Sequence, residues 1–306
     1  MIGLLDSVPW QAWAQEAAQT ATQVPTAWWV WVISLFITCF LIGIFGVMAG
    51  IGGGVLFVPL VGSFFPFHID FVRGAGLFLA MGSSLAAAPN LLKSNLASVK
   101  LAMPTVLTAS AFSVVGAYSG LFLSSLNPAY IQGSLGVLIL MISAFLYFNK
   151  SAANPQVHPG DPLTLALGLG GNYYEPHRDL DICWQVHRTK KGLAIFSMVG
   201  FVAGMFGLGA GWAYVAVLNL VMGTPIKVAV ATAGFALSVD TNAAWIYFNK
   251  GAVLPLIVVP SLVGIMAGAK IGSHLLPKVK PELIRKMVLV VLIIAGIRSL
   301  FKAFGV

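Results

Sequence analysis

Apolar residues run along this chain in long blocks, and polar residues gather between them. Hydropathy together with glycine, proline and charged breakers gives ten apolar segments. In the first half they cover roughly 27–49, 54–66, 71–92, 101–123 and 129–148. In the second half they cover roughly 192–208, 211–223, 228–248, 253–275 and 283–304. Each reads as a helix in lipid, since a bilayer span needs about 20 apolar residues. Segments 54–66 and 211–223 are too short to cross a ~30 Å hydrocarbon core upright. They are expected to be half-helices returning from a glycine turn, or short tilted spans. Trp28, Trp29 and Trp31 open the first segment, where an aromatic belt belongs.

The two halves repeat each other. GVMAGIGGGVLFVPLV (Gly46–Val61) returns as AGMFGLGAGWAYVAVL (Ala203–Leu218) at an offset of 157 residues. Gly43 then falls on Gly200, Gly50 on Gly207, Gly52 on Gly209 and Gly54 on Gly211, and Lys93 still meets Lys250. Five segments per half is an odd number, so the second half enters the membrane opposite to the first. The expected fold is an all-α integral membrane protein of two inverted-topology repeats, with short broken or re-entrant helices around glycine-rich turns. In such folds, paired broken helices mark a binding site near the bilayer midplane.

Composition sharpens this reading. Of the 306 residues, 58% are hydrophobic and 8% charged, against about 25% charged in a soluble domain. No soluble core could hide so much apolar surface. The net charge of +8 is no nucleic-acid signal, because it sits in loops as the positive-inside rule requires. The 149–191 stretch carries Lys150, Arg178, Arg188, Lys190 and Lys191, and is expected to be a cytoplasmic linker. Loops 93–100 and 276–286 fall on the same side. Residues 1–26 hold no Lys or Arg and are expected to be external, with no basic n-region of a cleavable signal peptide. Lys302, near an external C-terminus, is a mild violation. The membrane halves are then 27–148 and 192–306. The expected location is the cell (inner) membrane, and the oligomeric state stays open.

The doubled glycine motif, GVMAGIGGGVLFVPL (Gly46–Leu60) and GFVAGMFGLGAG (Gly200–Gly211), resembles the TauE/SafE family of sulfite and sulfonate exporters. The resemblance covers about residues 30–304. It implies a permease for sulfite, sulfoacetate or a related sulfur anion. Two departures stand out: Ala216 replaces the proline matching Pro59, and the 149–191 linker is long.

The chemistry of a small oxyanion suits these residues. Glycine turns that open helices offer free backbone N–H groups and about half a positive charge, with no side chain in the way. Gly50, Gly52, Gly53, Gly54, Gly207, Gly209 and Gly211 are therefore candidate substrate contacts. Close helix packing is the plainer role for the same glycines. Asp240, in SVDTN, is the single carboxylate deep inside a segment as drawn above, and its repeat partner is Ser83. An intramembrane acid is a functional candidate by default, here as a proton carrier. A carboxylate would repel an anion unless protonated, which favours coupling over ligation. Ser83, Asn90 and Asn242 are candidate polar contacts. Lys93, Lys250, Lys270 and Arg73 read as interfacial snorkelling residues. Trp212, Tyr214 and Trp245 line a cavity or pack on other rings.

Other classes find little support. There is no Walker A pattern, no paired carboxylates in the spans and no HExxH spacing, so neither an ATPase, an intramembrane enzyme nor a metal site is expected. Cys39 and Cys183 suggest no disulfide framework. No cofactor is expected. The leading expectation is secondary active export of a small sulfur anion; uptake of a similar anion and an anion channel are the alternatives.

Overall fold

The computed structural model describes residues 28–48, 52–93, 97–148, 160–175, 180–240, 242–275 and 281–304. Among the described residues eleven helices cover the ten apolar blocks, because the 228–248 block holds two. In the first half these are α1 (Trp28–Met48), α2 (Gly53–Phe64), α3 (Ile69–Lys93), α4 (Val99–Leu126) and α5 (Pro128–Phe148). The linker adds a short α6 (Pro162–Leu167) and an antiparallel hairpin, β1 (Gly170–Glu175) with β2 (Leu180–Gln185). The second half has α7 (Thr189–Phe206), α8 (Gly211–Ala216) with a π-helical continuation Val217–Val221, α9 (Ile226–Val239), α10 (Asn242–Asn249), α11 (Pro255–Leu275) and α12 (Pro281–Ala303).

Among the described residues, five helices are long and apolar enough to cross a membrane, within α1, α3, α4, α7 and α11. Their outer faces stay apolar, as at Leu107, Met198 and Val259. Only lipid suits such a surface. The short α2 is 12 residues long, about 18 Å at 1.5 Å per residue.

Small residues set the packing. The first segment of each half lies against the fourth segment of the other: α1 on α11, and α7 on α4. Gly264, Gly268 and Gly272 face the carbonyls of Phe36, Phe40 and Ile44 in turn, so α1 and α11 run parallel. Gly200 and Gly204 face the carbonyls of Ala109 and Ser113, so α7 and α4 also run parallel. A Cβ on Gly204 would sit 2.0 Å from the Ser113 oxygen. Glycine thus lets the backbones touch, the usual device where no water drives helices together. The helices of the fifth segments, α5 and α12, pack antiparallel, with Gly136 against Leu300 and Gly296 against Leu140.

Three features depart from the sequence expectations. First, the linker is not merely a polar loop. Asp161 accepts from the backbone N–H of Thr164 at 3.2 Å and of Thr189 at 3.0 Å, capping α6 and α7 with one carboxylate. Trp184 and Val186 bury the hairpin against the helices. Second, the 228–248 span is discontinuous. α9 stops at Val239 and α10 starts at Asn242, whereas its counterpart α3 runs unbroken through Ser83. Third, Arg73 does not snorkel. It is fully buried and paired with Asp70, which belongs to α3 and not to a loop. Asp240 is therefore not the single carboxylate inside a span.

Lys302 also finds a role. Its Nζ donates to the Gly62 carbonyl at 2.7 Å, and Arg298 Nε donates to Ser63 at 3.2 Å. Both cations sit at the C-terminal end of α2, where free carbonyls and the helix dipole favour positive charge.

Candidate functional site

The two glycine turns come together. Gly52 takes φ 77° and Gly209 φ 70°, the left-handed region that glycine adopts without strain. Both turns lean on the same alanine of α3. A Cβ on Gly54 would lie 3.0 Å from Ala80 Cβ, and one on Gly209 would lie 2.8 Å from it. Gly54 also faces the Leu208 carbonyl, and Gly52 faces Leu237 of α9. Residues 155 positions apart along the chain (Gly54 and Gly209) thus close on one methyl group.

Beside that meeting point is a small cleft. Asp240, Gly209 and Ser113 supply its polar wall, and Leu77, Ala80, Ala203 and Leu237 part of its apolar one. Gly204 and Ala243 complete it. Leu77, Ala80 and Ser113 stand near the middles of α3 and α4, so the cleft is at mid-span. The break after Val239 delivers Asp240 to the cleft as the C-cap of α9, its own N–H bonded to Ala236 at 3.2 Å. α10 begins two residues later, and Ala243 in its first turn borders the same space. As at any helix start, its first N–H groups have no partner within the helix and carry partial positive charge.

Each expected site residue has a definite place. Gly209 and Asp240 share the cleft. Gly53 donates its N–H to Ser83 Oγ at 3.3 Å, so Ser83 holds the first turn and does not line the cleft. Gly54 and Gly207 serve close approach: a Cβ on Gly207 would strike the Arg73 backbone at 2.3 Å. Gly211 is buried as the first residue of α8. Asn242 Nδ2 donates to Ser110 Oγ at 2.6 Å, pinning α10 to α4. Gly50 and the Asn90 side chain lie outside the described residues.

Several residues around the cleft were not singled out from sequence. Ser110 and Ser113, three apart in apolar α4, face α10 and the cleft; that spacing inside a span was a usable signal. Ala80 gave none. On α8, Trp212 Nε1 is buried without a hydrogen-bond partner among the described residues. The Tyr214 ring packs on Phe196 at 4.5 Å between centroids. Among the described residues no cluster of His, Cys, Asp and Glu could hold a metal ion.

A helical bundle with an apolar exterior and several helices long enough to span a bilayer defines a multi-pass membrane protein. The family described as Sulfite exporter TauE/SafE matches residues 35–299, and the chain belongs to that family. It is a membrane transporter. The chain is similar to the "Probable membrane transporter protein YunE" of Bacillus subtilis (strain 168), 26% identical over 271 residues, covering 85% of this chain and 94% of that protein. No solved structure matches the chain.

Proposed function

We propose that the protein is a secondary active transporter that exports a small sulfur oxyanion, sulfite or an organosulfonate such as sulfoacetate, from the cell across its inner membrane. The observation that carries this reading is the shared cleft of Gly209, Asp240 and the start of α10. The cleft offers backbone N–H groups and helix-end charge but no buried counter-cation. A weakly basic, transient oxyanion is bound well enough by such donors and is still released.

Alternating access rests on the repeat. Within one half, the first and fourth segments must cross in opposite directions. If the halves had the same orientation, α1 and α11 would therefore be antiparallel. They run parallel, as do α4 and α7, which favours an inverted second half. The Lys/Arg distribution puts the hairpin and linker inside and the α3 start outside. Asp240 couples the cycle: protonated, it admits the anion beside it; ionised, it repels it.

The test is counterflow in proteoliposomes of the purified protein, with labelled sulfite, sulfoacetate and phosphate. Sulfite or sulfoacetate exchange that phosphate fails to match is the expected result. Equal flux of all three, or of none, rejects the substrate class.

A further inference from the structure

Arg73 is the most buried cation described in the protein, and nothing in the cleft itself uses it. Its Nη1 donates to Asp70 Oδ1 at 2.5 Å. Its Nη2 donates to the Met205 carbonyl of α7 and to the Tyr247 hydroxyl of α10. The guanidinium also lies over the Tyr247 ring, 5.2 Å from the centroid. Asp70 Oδ2 accepts from Ser124 of α4 at 2.8 Å. Tyr247 in turn donates to the carbonyl of Gly204, a cleft residue, at 3.1 Å. One ion pair therefore ties α3 and α4 of the first half to α7 and α10 of the second.

The position of this knot is specific. Arg73 is four residues before the cleft residue Leu77, and Tyr247 four after Ala243, each about 6 Å along its helix. Gly120, whose carbonyl also faces Arg73, is seven residues after Ser113, about 10 Å. On every helix the step leads toward the same end, where α3 starts and α4 and α10 finish. The network closes the cleft on that side. A permanent structural pair would satisfy its cation fully, yet Arg73 Nε has no hydrogen-bond partner. Apart from Asp70, its acceptors are neutral carbonyls and a hydroxyl, weaker than an ionised oxyanion.

We propose that Arg73 is an anion-contacting residue on the exit side of the transport path: the Asp70–Arg73 pair shuts the cleft outward, and on opening the guanidinium passes from Asp70 to the departing oxyanion. A fork of N–H donors matches the oxygens of a sulfite or sulfonate group. Asp70 then recaptures the cation and releases the anion. The role rests on the proposed sulfur-anion export for its ligand, but the closure itself does not.

Removing one partner of a buried pair can unfold a protein by stranding the other charge, so two variants are compared. Asp70→Asn frees the guanidinium. The double variant Asp70→Asn/Arg73→Gln is neutral at both positions and strands nothing. The first readout needs no substrate: the rate at which an outside, membrane-impermeant maleimide labels Ala243→Cys, with Cys39→Ser and Cys183→Ser as background. Asp70→Asn should raise that rate about tenfold, as a loss of about 1.4 kcal/mol of closure implies. The second readout is sulfite exchange at the two faces. Asp70→Asn should lower the half-saturating sulfite concentration about tenfold at the outer face alone, and the double variant should raise it there alone. Unchanged labelling in folded Asp70→Asn overturns the closure and with it the proposal. Accelerated labelling with wild-type outer-face saturation in both variants overturns the anion contact. A wild type that exchanges no sulfite rejects the sulfur-anion reading, and the same two measurements with the anion it does exchange then decide Arg73.

Discussion

Gly53 donates its backbone N–H to the hydroxyl of Ser83 at 3.3 Å, and Ser83 occupies the position that the internal repeat pairs with Asp240. The two halves thus use one position differently. In the first, a hydroxyl on an unbroken helix anchors a glycine turn. In the second, a carboxylate stands at a helix break and faces the cleft. The fixed half supports the site, and the broken half carries its charge.

That anchoring bond gives a stability prediction. Ser83→Ala leaves the Gly53 N–H without its acceptor, in a setting where an interhelical hydrogen bond is worth about 0.6–2 kcal/mol. The melting temperature of the purified protein in detergent should fall by roughly 2–4 °C for each kcal/mol lost. Transport should survive, since Ser83 does not line the cleft. A variant with wild-type melting would remove Ser83 from the support of the turn.

The turns themselves should tolerate no side chain. Gly209 combines φ 70° with Ala80 Cβ at 2.8 Å from any added Cβ, and at Gly53 an added Cβ would meet Ile265 Cδ1 at 2.1 Å. Gly209→Leu and Gly53→Leu should insert in the membrane and fail to transport, because leucine at Gly209 strains the turn and fills the cleft's edge, and leucine at Gly53 displaces Ile265 and crowds Ser83 Oγ. Membrane fractionation with flux assays checks both halves of that statement. Normal flux in both variants would take the turns out of the mechanism.

Much of this architecture could be read in the chain because its signals are local. Apolar runs, glycine breaks and loop charges each act within about 20 residues, and all ten blocks are helical, one of them as two helices. The break at Asp240 was missed because SVDTN holds neither glycine nor proline. It becomes visible only when Asn242 reaches Ser110, 132 residues away. Arg73 was misplaced for the same reason. A cation near the start of a span resembles a snorkelling residue until Tyr247, 174 positions on, is folded against it. The hairpin was missed because its strands are six residues long and owe their burial to Trp184 and Val186 meeting the helices.

Sidedness can be tested with a native residue. Cys183 is exposed on the hairpin and Cys39 is buried, so one thiol is accessible to reagent. With the linker inside, a membrane-impermeant maleimide should leave intact cells unlabelled and should label Cys183 after permeabilisation. Labelling of intact cells would invert the proposed topology and turn the closed side of the cleft inward.

Coupling is the sharpest test of Asp240. The residue shares its cleft with the turn proposed to bind the anion, so its charge and the anion's compete for one small space. A proton on the carboxyl removes the repulsion, and its loss restores it. Proton and anion then occupy the cleft together, so alternating access would carry one proton in the same direction as each anion. Asn has the shape of the protonated acid and cannot ionise. Asp240→Asn should therefore keep anion exchange, lose accumulation driven by a proton gradient, and lose the pH dependence of flux that the wild type shows. The competing driving force is the membrane potential, worth about 2.3 kcal/mol per charge per 100 mV on any net anion leaving the cell. The two separate in proteoliposomes. Collapsing the proton gradient at a clamped potential should stop accumulation by the wild type and leave the variant's exchange untouched. Wild-type accumulation that persists under that clamp would assign the driving force to the potential, and Asp240 would then serve only to cap α9.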